Sequence, residues 1–342
     1  MRSSERERCA LAVTKALPGI RASGSTHGSP DAPPAAKPSR AARLRDFLGR
    51  ARRDSPLLLM AAPAVLLLAA FTYLPLLGSA VAFMDYSPGL PSTWVGFANF
   101  QALFQDDAFW QAVSNTFQIT FFQLLFYFPV PILLAVLFNS IAMPMARKFT
   151  QSVIYLPHFL SWVIIVALFQ QVLGGGGVIN RFLSEHGHHG VNVMADPGTF
   201  KLLLTAQSVW KDAGWGTIIF LAAIAAIDTQ LYESATMDGA GAWRRFWHVT
   251  LPGMRPIIVL MLILRLGDAL TVGFEQVLLQ RDAVGPQAAE VLDTYVYFNG
   301  VVDGNWGLAT AAGLLKGVVS LLLVLGANSL AHRLGEEGVY QR

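Results

Sequence analysis

Two groups of residues in this 342-residue chain have types and spacing that could do chemistry. The first is a polar stretch set between hydrophobic segments, Glu233-Ser234-Ala235-Thr236-Met237-Asp238-Gly239-Ala240, continued by Phe246 and by Leu251-Pro252. Its chemistry is charge pairing and docking rather than bond breaking. Glu233 to Met237 suits a short helix, and Gly239 supplies the left-handed residue that ends a helix with little strain. Pro252 is expected to stop a second short helix from running straight into the next apolar segment. Glu233 offers a carboxylate for an ion pair, although it would also favour the start of its own helix, and Asp238 before Gly239 is ordinary turn chemistry.

The second group lies inside apolar segments: His158, Ser161, Trp162, Gln170 and Gln171 in one, Glu275 and Gln276 late in another. These combine aromatic faces with hydrogen-bonding side chains, although Trp162 and Trp215 are more often packing or interface aromatics. Arg265 and Asp268 are intramembrane charges at i, i+3, a spacing that favours a mutually neutralising pair over a ligand site. The run Glu185-His186-Gly187-His188-His189 could take up a metal adventitiously, but nothing nearby fixes ligand geometry, and no metal site or cofactor is assigned.

The elements that must position these residues are membrane helices. Hydrophobic residues make up 54% of the chain and charged residues only 14%, against about a quarter charged in ordinary soluble domains. Mean hydropathy is +0.46. Six segments reach the roughly 20 apolar residues needed to cross a bilayer: Leu57 to Leu77, Asn115 to Asn139, Ser152 to Leu173, Gln207 to Ile227, Pro256 to Leu279 and Leu308 to Ala331. Pro63, Pro75, Pro129 and Pro131 inside them predict kinked helices packed in a bundle. Nineteen of the 25 Lys and Arg residues fall on the side that holds both termini and the 229–255 loop, and four on the other. The positive-inside rule therefore places both termini and that loop in the cytoplasm.

Residues 1–53 are rich in Ser, Ala, Pro and Arg without helical or strand period, and are expected to form a disordered basic cytoplasmic tail. A juxtamembrane helix over Ala41 to Arg53 could lie on anionic lipid. The basic pI of about 9.1 reflects this tail and the cytoplasmic loops, not nucleic-acid binding. The first span lacks a small-residue cleavage site and is expected to remain as an anchor. Cys9 is the single cysteine, which excludes an internal disulfide.

With these residues in view, the 229–255 stretch resembles the EAA loop of importer-type ABC permeases. Glu233, Ala235, Asp238, Gly239, Ala240, Phe246, Leu251 and Pro252 match its pattern, and Ser234 replaces the middle alanine with another small residue. Trp94-Val-Gly-Phe-Ala-Asn-Phe100, with Phe109-Trp110 and Asn115-Thr116, looks like the first external loop and second span of sugar-type permeases. Leu156-Pro-His-Phe-Leu-Ser-Trp162, Gly273-Phe-Glu-Gln276 and Asp293-Thr-Tyr-Val-Tyr297 are similar to the branch that imports oligosaccharides and polysaccharide fragments. The resemblance implies an all-α, type I importer-like permease domain over 54–342, in the plasma membrane. It also implies a second permease subunit, ABC ATPase subunits and an extracytoplasmic sugar-binding protein as partners.

The chain contains no G-x-x-x-x-G-K-[ST] loop, so ATP hydrolysis is expected on a partner and the chain itself is not expected to be an enzyme. The loop then transmits force, with Glu233 pairing to a basic ATPase side chain. His158, Ser161, Trp162, Glu275 and Gln276 become candidates for the sugar path. An ABC permease for another solute, a secondary transporter driven by an ion gradient, and a non-transporting scaffold remain alternatives; ATP dependence of transport separates them.

Overall fold

The computed structural model describes residues 55–333 and Gly335; the expected tail at 1–53 lies outside them. The described chain is helical apart from one antiparallel bridge between Met84–Asp85 (β1) and Thr93–Trp94 (β2). Five helices are long and apolar enough to cross a membrane: Ser55–Phe83 (α1), Asp107–Ser140, Trp162–Glu185, Ala242–Gly267 and Trp306–Arg333. The remaining crossing, Phe200–Ala225, meets that standard only together with Thr229–Met237, from which it is bent by 70°. It carries Lys201, Lys211 and Asp212, and this polarity sets it apart from the others.

In chain order after α1, the elements that matter are Ala98–Gln105 (α2), Asp107–Ser140 (α3), Pro144–Tyr155 (α4), Trp162–Leu173 (α5), Val178–Glu185 (α6) and Phe200–Ala225 (α7). Thr229–Met237 (α8), Ala242–Gly267 (α9), Phe274–Leu278 (α10), Leu292–Tyr297 (α11) and Trp306–Arg333 (α12) complete them. The polar α7 is the hub, lying along the Pro129–Ser140 half of α3 and touching α4 and α9. Its close approach to α4 depends on Gly214, where a Cβ would sit 2.4 Å from the Ile154 carbonyl oxygen. Small residues at helix crossings let backbones come near, which is how helices associate when lipid is as apolar as the protein.

Three prolines in the spans share one arrangement, while Pro63 and Pro256 lie inside regular helix. π turns occupy Ala69–Tyr73, Gln123–Tyr127 and Phe246–Thr250, and each ends two residues before a proline, namely Pro75, Pro129 and Pro252. A proline has no N–H to give the carbonyl four residues back, and its ring clashes with that carbonyl. Widening the preceding turn by one residue relieves the clash and keeps the helix continuous. The expectation that Pro252 halts a second short helix is thus corrected: the segment from Ala242 passes through the π turn into the span without stopping.

Two span boundaries also differ. The segment expected as Ser152 to Leu173 is broken at 156–161, because Pro157 interrupts α4 and Ser161 caps a new helix through an Ile164 N–H to Ser161 Oγ bond of 3.4 Å. The fifth span ends at Gly267 instead of reaching Leu279. Asp268 takes its C-cap position, and the chain turns at Gly273, whose φ is +96°.

Between α9 and α12 the chain forms a strap, residues 268–305, at the opposite end of α9 from the 229–241 loop. The strap is partly buried and pinned from a distance. Asn115 Nδ2 donates to the carbonyls of Gln287 (3.0 Å) and Glu290 (2.9 Å), and the Leu292 N–H donates to Thr116 Oγ1 at 3.0 Å. Tyr295, 2% exposed, donates its hydroxyl to Asp106 Oδ2 at 2.5 Å. Burial and the Asp106 carboxylate push the Tyr295 hydroxyl far above its ordinary pKa, so it stays a donor.

Candidate functional site

The loop site is built almost entirely from local geometry. Asp228 caps α8 by accepting from the Gln230 N–H at 2.9 Å, which starts the helix that carries Glu233. The helix ends in a Schellman closure: the Ala240 N–H donates to the Ala235 carbonyl (2.9 Å) and the Gly239 N–H to the Thr236 carbonyl (3.0 Å). Gly239 sits at φ +71°, and a Cβ there would meet open space, so the demand for glycine comes from the backbone alone. Glu233, Ser234 and Asp238 are exposed on this short helix and its end, while Ala235 and Ala240 are half-buried beneath. Ser234 returns its hydroxyl to the Gln230 carbonyl at 2.8 Å and adds no reach of its own.

The loop is tied to the following span by side chains. Tyr232 Oη and Thr250 Oγ1 lie 3.0 Å apart, joining α8 to the π turn at the base of α9. Phe246 is half-buried in the same turn, its ring tilted against Trp243 at 5.8 Å and edge-to-face with Trp247 at 5.3 Å. These contacts pack α8 and the π turn against the base of α9. Pro252, exposed, stands at the start of the regular α-helical part of that span.

A second arrangement lies within the bundle. His158 Nδ1 is 2.8 Å from Asp212 Oδ1, and its ring stacks on Trp215 at 4.5 Å with planes 5° apart. Lys211 Nζ donates to the carbonyls of His158 (2.8 Å) and Leu160 (2.5 Å) and lies 5.5 Å from the Trp162 ring centre. These bonds satisfy the carbonyls freed where the chain breaks at 156–161, and they place His158, Ser161 and Trp162 against α7. Sequence reasoning weighed Trp215 only as a packing or interface aromatic, and it missed Lys211 and Asp212 as part of this site. The available signal was a pair of adjacent charges in an apolar segment, a costly arrangement that is functional by default.

Arg265 and Asp268 do not pair. Arg265 Nη2 donates to Gln123 Oε1, and the guanidinium lies 5.3 Å from the centre of the Tyr127 ring. Asp268 is exposed at the cap where the helix ends, so the shared face implied by i, i+3 spacing is not continued.

Glu275 and Gln276 part company. Glu275 is exposed on α10, whereas Gln276 is 0% exposed and fully engaged. Its Nε2 donates to Gln207 Oε1 (2.7 Å) and the Leu204 carbonyl (2.9 Å), and its Oε1 accepts from Ser208 Oγ at 3.3 Å. Gln280 exchanges bonds of 3.1 Å with Gln207, completing a three-amide knot between strap and α7. In this conformation Gln276 holds the strap and faces no open space. Gln170 and Gln171 are exposed near the end of α5. His186 folds back, its Nδ1 2.8 Å from the Phe182 carbonyl.

Comparison with known proteins agrees with this architecture. Residues 127–336 match the family described as binding-protein-dependent transport system inner membrane component. The polygalacturonan/rhamnogalacturonan transport system permease protein YteP of Bacillus subtilis (strain 168) is 44% identical over 83% of this chain and 90% of its own length. Protein LplB of the same organism is 41% identical over 86% of this chain and 94% of its own. A chain of a bacterial alginate ABC transporter, solved in complex with alginate pentasaccharide-bound periplasmic protein, superposes with a TM-score of 0.79 at 37% identity, covering 85% of this chain and 99% of that one. The protein described here therefore belongs to the family of inner membrane components of binding-protein-dependent transport systems, as a multi-pass membrane subunit.

Proposed function

We propose that this chain is the permease subunit of an ATP-driven importer for an oligosaccharide derived from an acidic polysaccharide. The observation that carries the transport reading is the loop: a capped, Schellman-closed helix that presents Glu233 outward and is bolted to α9 through Tyr232 and Thr250. Such a helix suits a groove on an ATPase, whose closure would pull α9 and change which side the bundle opens to. The substrate class rests on the names of the relatives, polygalacturonan/rhamnogalacturonan and alginate, supported by the polar cluster of Lys211, His158 and Trp215 and by Arg265 on α9. Stacking faces and charge-assisted donors are what a uronate needs. Hydrolysis belongs to separate ATPase subunits, and a second permease and an extracytoplasmic binding protein complete the assembly. The loop faces the cytoplasm in this reading, consistent with the distribution of Lys and Arg.

The test is made on the purified complex in proteoliposomes. Glu233→Ala and Gly239→Val are expected to insert and to pair with the second permease, yet to lose substrate-stimulated ATP hydrolysis or the ATPase itself. Membrane abundance, copurified ATPase and ATP-driven uptake are measured on the same preparations. Full ATPase retention with normal uptake in both variants overturns the docking role; uptake driven by an ion gradient without ATP overturns the importer class.

A further inference from the structure

Behind the loop helix lies a polar recess that the transport reading does not use. A cavity of about 390 Å³ is lined by Asn139 and Ser140 at the end of α3, Tyr232 on α8, and Arg245, Phe246 and Thr250 at the base of α9. Arg245 also borders a second cavity of about 550 Å³ beside Glu233. Arg245 is half-buried while its neighbour Arg244 is exposed, and it lines both cavities. Among the described residues it has no carboxylate partner, and its one side-chain bond is a long 3.4 Å contact to the neutral Thr236 hydroxyl. Asn139, an exposed residue that also lines the recess, has no side-chain partner among the described residues.

A guanidinium presents five N–H donors in a planar fork matched to carboxylate or phosphate oxygens, and one weak neutral bond leaves most of that capacity unused. Asn139 adds two amide donors to the recess, and the Thr250 and Tyr232 hydroxyls already spend one bond on each other. The recess is thus rich in donors and bare of negative charge. Arg147, Lys148, Arg244 and Arg255 on neighbouring segments add to the positive field at this end of the bundle. A phosphate, with four oxygens, can engage more of these donors at once than a two-oxygen carboxylate can.

We propose that this recess binds a phosphate group, held by Arg245 and Asn139 behind the loop helix, and that its occupancy stiffens the joint between α8 and α9. A phospholipid headgroup and free phosphate share this chemistry. The proposal does not depend on which saccharide is carried.

The purified complex is titrated in detergent with short-chain dihexanoyl phosphatidylglycerol, with its phosphatidylcholine counterpart and with inorganic phosphate, reading the thermal midpoint and substrate-stimulated ATPase activity. Phosphatidylglycerol is expected to raise the midpoint of the parent protein by several degrees and of Arg245→Gln by less than a third as much, with Arg245→Lys intermediate. An equal shift from inorganic phosphate at millimolar concentration assigns the site to the free anion; a shift confined to the lipids assigns it to the headgroup. Asn139→Leu, which removes the amide donors and leaves Arg245 in place, is expected to weaken the response at least threefold and serves if Arg245→Gln does not assemble. Equal shifts in the parent and in Asn139→Leu or Arg245→Gln overturn the proposal. So does loss of the ATPase from Arg245→Gln with no response of the parent to any phosphate, which would make Arg245 a docking residue.

Discussion

The loop at 228–252 and the strap at 268–305 close opposite ends of α9 by opposite means. In the loop, the longest bond that matters, Tyr232 to Thr250, joins residues 18 apart, and the turn at Gly239 is closed by its own backbone. In the strap, Asn115 reaches Gln287 and Glu290 across 172 and 175 residues, Tyr295 reaches Asp106 across 189, and Gln276 reaches Gln207 across 69. A locally closed loop can move as a unit without undoing its neighbours. A strap stitched to α2, α3 and α7 moves only if those helices move with it. The loop is thus suited to receiving motion and the strap to resisting it.

Substitutions can break this contrast. The largest effect is expected for Gln207→Leu, which removes one bond from each of the Gln276 and Gln280 amide nitrogens and the Gln207 donor to Gln280 Oε1; each buried polar group left unpaired costs about 1–3 kcal/mol. The complex should show a clearly lowered thermal midpoint and reduced abundance, with ATP turnover per uptake event unchanged in what remains. A normal midpoint would mean that the amide knot does not hold the strap. Gly239→Val should do the reverse: forcing a side chain into the left-handed region costs about 1–3 kcal/mol, confined to the loop. Stimulated hydrolysis should fall about tenfold, the factor that corresponds to roughly 1.4 kcal/mol, while the midpoint holds. Gly239→Asn sharpens the point, because Asn tolerates positive φ and should recover most of the activity. The smallest effect is expected for Tyr295→Phe, which removes one buried hydrogen bond worth about 1–3 kcal/mol when the acceptor is charged. It should lower the midpoint modestly without changing the concentration dependence of uptake, and altered dependence would move the strap into the substrate path.

The sequence made the locally closed half legible. Hydropathy located the crossings, and the order of Glu233, Asp238 and Gly239 revealed a helix, its end and its turn because every partner lies within a few residues. Long-range partnerships left no such trace. Nothing in Gln276 alone says that it meets Gln207, or in His158 that it meets Asp212 and Trp215. Where spacing was used for a pair, as with Arg265 and Asp268, it misled because the helix ended at Gly267 and Arg265 turned to Gln123 on α3. Prolines misled in the other direction, since a π turn before Pro252 let the helix run on.

The polarity of α7 bears on how the protein is made. Lys201, Lys211 and Asp212 each oppose transfer of a helix into lipid by about 2.5–3.5 kcal/mol when they lie near its middle and less near its ends. Of the crossings, this one is the least able to leave the insertion machinery alone. Its apolar flank is covered by the Pro129–Ser140 half of α3, which is synthesised earlier, but Gln207 and Ser208 find their amide partners only in Gln276 and Gln280, which emerge much later. During synthesis the nascent chain therefore passes through a stage in which α7 leans on α3 with its polar side uncovered, and the strap is the piece that ends that stage.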